Sequence, residues 1–157
     1  MFNFQKTFAI LISILILLCA TTLSAVPASA NEIPNAILTF TVNSTEDLPD
    51  FATNSVCSAG KPTDGPCTLR AAISEASGNI DYTPVMVLIP PGTYVLSLPP
   101  TSPDTGNNGD LNIKASTSGH LITIKPTKKG EVVITTSFND RILEIGNGTN
   151  VQIENVT

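Results

Sequence analysis

Two stretches of this chain recur 21 residues further on. Gly109-Asp110-Leu111-Asn112-Ile113-Lys114 lies against Gly130-Glu131-Val132-Val133-Ile134-Thr135, with glycine on glycine, acid on acid and apolar on apolar. The same step carries His120-Leu121-Ile122-Thr123-Ile124-Lys125 onto Arg141-Ile142-Leu143-Glu144-Ile145-Gly146. Short segments of alternating apolar residues, repeated at a fixed spacing with turn formers between them, are the mark of a solenoid. Less regular strands extend the series: Val87-Leu88-Ile89 and Tyr94 to Leu98 before it, Val151 to Val156 after it. The fixed leucine and asparagine ladder of leucine-rich repeats is missing. A right-handed parallel β-helix is the expected fold, its coils about 4.8 Å apart and its Leu, Ile and Val side chains stacked inward. A β-sandwich of regularly spaced strands is the rival. Pro99 to Asn108 then reads as an insertion lengthening the step from the first full coil to the second.

A solenoid has an open apolar end that must be covered. The residues before the repeats supply a cover. After a first strand at Leu38 to Val42, Thr68 is placed to cap a helix whose Leu69, Ala72, Ile73 and Ala76 share one face and which ends at Gly78. A helix this short is marginal alone, so its apolar face must rest on the coils. The division expected is a signal peptide at 1–30, a linker at 31–38, an N-terminal cap at 39–78 and β-helix coils at 79–157. The last residues, Ile153 to Thr157, read as mid-strand, so the chain is expected to be part of a longer protein.

The first 30 residues point to export. Lys6 precedes an apolar run from Phe8 to Ala20 broken only by Ser13, and Ala28-Ser29-Ala30 offers small side chains to a signal peptidase. The run is shorter than the roughly 20 apolar residues of a membrane-spanning helix, so cleavage after Ala30 is expected and an uncleaved anchor is the alternative. Cys19 follows Leu17-Leu18, which is not a lipoprotein signal. Cleavage removes Lys6 and leaves seven basic against thirteen acidic side chains, scattered singly. That excludes a basic stripe for nucleic acid and leaves no membrane-inserted segment. Cys57 and Cys67 are the cysteines that remain, and in an exported chain their spacing predicts a disulfide closing a turn-rich loop.

Around the second cysteine, Cys67-Thr68-Leu69-Arg70-Ala71-Ala72-Ile73 resembles the CSLREA domain, a family of exported, mostly bacterial β-helix proteins. Phe40 to Thr45 ahead of the motif, Leu88-Ile89-Pro90-Pro91-Gly92-Thr93-Tyr94 after it, and Gly109 to Ile113 follow the family's order, so the likeness spans about residues 39 to 157. Thr68 replaces serine as a like-for-like cap. Ala71 stands where the family has glutamate, which removes an acid partner for Arg70 from the helix. The resemblance implies a secreted or surface-displayed β-helix of pectate-lyase-like architecture, often one module of a large protein, and no particular reaction. Residues Cys67, Thr68, Leu69, Arg70, Ala71 and Ala72 are expected to be structural.

The remaining polar residues offer little chemistry. Asp104 to Asp110 is rich in oxygen ligands, yet it lacks the EF-hand pattern: Gly106 and Ala115 occupy ligand positions. Calcium in an irregular turn is the one cofactor it suggests; otherwise no metal or cofactor is expected. Asp110 and Glu131, one repeat apart, are expected to stack on neighbouring coils as outward acids instead of the acid and base of a glycosidase. Lys114, Lys125 and Arg141 form no cluster in sequence. His120, in register with Arg141, is expected at the surface or in a turn, and no nucleophile accompanies it. Arg70 is expected to donate to loop carbonyls. Asn43-Ser44-Thr45, Asn147-Gly148-Thr149 and Asn155-Val156-Thr157 match the glycosylation sequon, which matters only in a glycosylating host. The function expected is a secreted or cell-surface module with a structural or binding role toward carbohydrate or protein, with no catalytic residue in this segment. The alternative is the N-terminal part of a polysaccharide lyase or glycoside hydrolase.

Overall fold

A computed structural model of the chain describes residues 37–157 apart from 79–83, 104 and 115–119. The expected signal peptide, most of the expected linker, and Asp104 and Ala115 of the suggested calcium loop lie outside the described residues. The described elements are β1 (Leu38–Thr41), α1 (Leu69–Gly78), β2 (Val85–Ile89), β3 (Gly92–Leu96), β4 (Leu111–Ile113), β5 (Leu121–Pro126), β6 (Val132–Thr136), β7 (Leu143–Ile145) and β8 (Asn150–Ile153). They are mostly strands, and every pairing between strands is parallel.

The strands form three sheets, ordered β1-β2-β5-β8, β3-β6 and β4-β7. From β2 onward the chain visits the sheets in a fixed cycle: first, second, third, then the same again through β5, β6 and β7, and back to the first at β8. Alternation decides which side chains point inward. In β2, Val85, Val87 and Ile89 are fully buried, while Met86 and Leu88 between them are half-buried. Pairing puts Val87 between Phe40 and Ile124, and Val85 between Leu38 and Ile122. β-branched residues dominate these positions because their stiff side chains pack well on a pleated surface.

The 21-residue repeat is not the stacking period. Val85 pairs with Ile122, Thr93 with Val133 and Leu111 with Leu143, steps of 37, 40 and 32 residues. The repeat compares β4 with β6 and β5 with β7, strands of different sheets. Strands in different sheets of a cycle face the same core and so share an apolar alternation, which is why the sequence matches without stacking. Asp110 therefore does not stack on Glu131, nor His120 on Arg141. The Pro99–Asn108 stretch likewise lies within a cycle, between β3 and β4, and not between one cycle and the next.

Helix α1 packs on β4, β2 and β1. Thr68 starts it: the Ala71 N–H donates to Thr68 Oγ1 at 3.1 Å, and that hydroxyl donates to the Leu48 carbonyl at 2.6 Å. Leu69, Ala72, Ile73 and Ala76 join the core with the inward residues of the sheets. The Cys57–Cys67 disulfide is present, joining Cα atoms 5.0 Å apart. Its loop is tied to β1, since Asn43 N–H donates to the Cys67 carbonyl and Cys67 N–H to Asn43 Oδ1. At β7 and β8, by contrast, Ile145 and Ile153 are about half exposed, at 49% and 45%. Among the described residues no helix is long and apolar enough to cross a membrane.

Candidate functional site

The polar groups of the sequence motif converge on one buried clamp. Arg70 comes from the first turn of α1, and its side chain is 1% exposed; Asp47 comes from the loop after β1, and its side chain is 2% exposed. All five guanidinium donors are used. Nε donates to Asp47 Oδ1 at 2.6 Å and Nη2 to Asp47 Oδ2 at 3.1 Å. Nη1 donates to the carbonyls of Gly106 and Asp110, both at 3.1 Å, and Nη2 also to Gly109 at 2.7 Å. Asp47 Oδ2 further accepts the N–H groups of Ser97 and Leu98, at 2.6 and 2.9 Å. The pair therefore ties α1 to the loop between β3 and β4 at both of its ends. The acid that Arg70 lacks inside its helix is supplied from 23 residues upstream. Nothing in the sequence singled out Asp47 from its neighbours Glu46 and Asp50.

The clamp also accounts for the oxygen-rich loop. The carbonyls of Gly106, Gly109 and Asp110 converge on the Arg70 guanidinium, which occupies the place a cation would take among them. Among the described residues no three of His, Cys, Asp and Glu are grouped to hold a metal ion.

A second charged group lies at the two ends of β4, on β7 and just before β7. Asp110, with its side chain 2% exposed, accepts a hydrogen bond from Arg141 Nε at 2.9 Å. Arg141 Nη2 reaches Glu144 Oε2 at 2.8 Å, and Lys114 Nζ lies 3.5 Å from Glu144 Oε1. The 32-residue step of this sheet brings Asn112 opposite Glu144, and so assembles residues that the 21-residue register kept apart. The Asp110 carboxylate raises the pKa of Arg141 above its ordinary value, with Glu144 adding to the rise. Each charge in the row is satisfied by its neighbour.

The third group is a pair of carboxyls beneath the disulfide loop. Glu75, on the buried face of α1, accepts the N–H groups of Asn54 and Ser55 at 2.9 and 2.7 Å. Burial pushes its pKa up to about 7; the adjoining Asp50 carboxyl adds to the rise, and the two N–H groups oppose it. Asp50 Oδ1 accepts the Ser58 N–H, whereas Oδ2 is buried with no other acceptor-satisfying donor. Neither acid stood out in the sequence, because the pairing depends on the path of the disulfide loop.

His120 corrects its sequence expectation. It is fully buried, and among the described residues neither ring nitrogen has a hydrogen-bond partner. Its position before β5 carries it inward, and its carbonyl accepts the Asn150 N–H at the start of β8. The chain matches no family model, no curated protein and no solved structure.

Proposed function

We propose that this chain is an exported, right-handed parallel β-helix of the CSLREA type, acting as a secreted or cell-surface module that binds carbohydrate or protein. The cyclic order of parallel strands through three sheets supports the fold, since each return to the first sheet is one coil. Right-handedness follows from the near-universal hand of connections between parallel strands. The observation that carries the functional reading is the commitment of the charged groups, some buried and some at the surface, to one another. Arg70 and Asp47 hold the loop between β3 and β4, while Asp110, Arg141, Glu144 and Lys114 neutralise each other in a row. Charges used in this way build a rigid surface, and a rigid surface is what a binding module presents.

The same row is the observation favouring the second reading, the front part of a polysaccharide lyase or glycoside hydrolase. Carboxylates beside Arg and Lys are the groups such chemistry employs. The two readings separate in one assay on the exported chain. It is incubated with a panel of plant, algal and bacterial polysaccharides, and both binding and release of reducing ends are followed. Binding without cleavage supports the module; cleavage that disappears in Asp110→Asn overturns it.

A further inference from the structure

Three lysines gather at one turn. Lys125 ends the regular part of β5, and Lys128 and Lys129 follow in the turn to β6; together they line a cavity of about 360 Å3. That volume is at the lower end of small-ligand sites. No ion pair engages any of the three among the described residues, although they are three of the eight Lys and Arg in a chain of formal net charge -5.

The turn is held from both sides. Thr127 N–H donates to the Ile89 carbonyl, and Gly92 N–H to the Glu131 carbonyl, each at 2.9 Å. Between them Gly130 has φ +153°, and a Cβ there would lie 2.5 Å from Pro91 Cγ, so the backbone is pressed against the strand connection beside it. Glu154 and Asn155 close the cavity from the other side. Glu154 N–H donates to the Ile124 carbonyl, which seats it next to Lys125, and its Oε1 accepts from Gln152 Nε2 at 2.9 Å. Asn155 is in the left-handed region, with φ 51°. Three ammonium groups carried on an anchored backbone concentrate positive charge at one turn, which draws an anion to it.

The type of cation selects the type of anion. An arginine fork matches a planar carboxylate through two parallel bonds; lysine is a compact point charge with three rotatable donors. The cavity holds lysines and no arginine. We propose that the 125–130 turn binds a tetrahedral oxyanion, the phosphate or sulfate ester of an extracellular carbohydrate. The assignment rests on the reading of the chain as a binding module, and it names the ligand chemistry of one site.

The test uses the whole exported chain, 15N-labelled, titrated separately with glucose 6-phosphate, glucose 6-sulfate, glucuronate and glucose. The phosphate or the sulfate sugar shifts the amides of residues 127–131 and 154–155, and the stronger of the two identifies the ester. K128Q/K129Q weakens that binding about tenfold or more, the loss of charge-assisted hydrogen bonds. K61Q, on the exposed disulfide loop, leaves it within about twofold, the scale of a screened distant charge. E154Q, which removes a repelling charge beside the anion, strengthens it. Equal binding of glucuronate or of glucose overturns the assignment, as does equal weakening by K61Q or the absence of shifts at the turn. If the four sugars leave the turn unchanged while a polysaccharide of the panel above still binds, the oxyanion site is wrong and the module reading stands.

Discussion

Arg70 and Arg141 both reach an aspartate whose side chain is 2% exposed, yet one arginine is 1% exposed and the other 60%. Arg70 has left water altogether, so every donor must find a protein acceptor, and five do. Arg141 keeps most of its surface in water, where solvent can serve the donors that Asp110 and Glu144 do not. A buried ion pair is costly to break because the abandoned partner keeps its charge without solvent. A pair whose cation already stands in water loses less, because solvent can enter where that side chain was. The same side chain is thus a structural rivet in one place and a surface ornament in the other.

Breaking the rivet is expected to have the largest effect. Arg70→Ala strands Asp47 and three carbonyls and should cost about 3–5 kcal/mol, read from urea unfolding. Arg70→Lys should recover little of it, since an ammonium lacks the five-donor fork. Should R70A not fold, Asp47→Asn, which keeps the shape and removes the charge, is expected to be destabilised in the same direction. Ile122→Ala, in the inward ladder of β5, should cost about 2–5 kcal/mol. Thr68→Ala removes the cap and should cost about 1–2 kcal/mol, while Thr68→Ser stays within a few tenths of wild type. Arg141→Ala should move the unfolding midpoint least of these, and R141A/D110N should restore what it loses.

The carboxyl pair sharpens the comparison by pH. Glu75 has a folded pKa of about 7 against an ordinary 4.5, so between those values the native state holds a proton that the unfolded chain has released. Stability from this group is complete below pH 4.5 and is lost as pH rises toward 7, by up to about 3 kcal/mol. In Glu75→Gln, the slope of the thermal midpoint across that window should flatten. A slope unchanged from wild type would mean that Glu75 is not the group titrating.

The sequence was most informative where structure is local. Alternation in Val85–Ile89 and the spacing of Leu69, Ala72, Ile73 and Ala76 are properties of single elements, and Thr68 caps through its own neighbours. The disulfide was legible because few cysteines remain to choose from. The 21-residue register fails, because strands of different sheets carry the same alternation and Val132 resembles Leu143 as a partner for Leu111. That error hid the Asp110, Arg141, Glu144 and Lys114 row, and it turned His120 outward. Asp47 and the Asp50–Glu75 pair were invisible for a different reason: their partners lie more than 20 residues away along an irregular loop.

Parallel strands return to the same three sheets with long, unequal steps. The direct measurement is the pattern of interstrand nuclear Overhauser contacts in the isotope-labelled chain. The account predicts parallel-type contacts joining Val87 to Ile124 and Leu111 to Leu143. Antiparallel Hα–Hα contacts within these sheets, or Leu111 lying beside Val132, would contradict it.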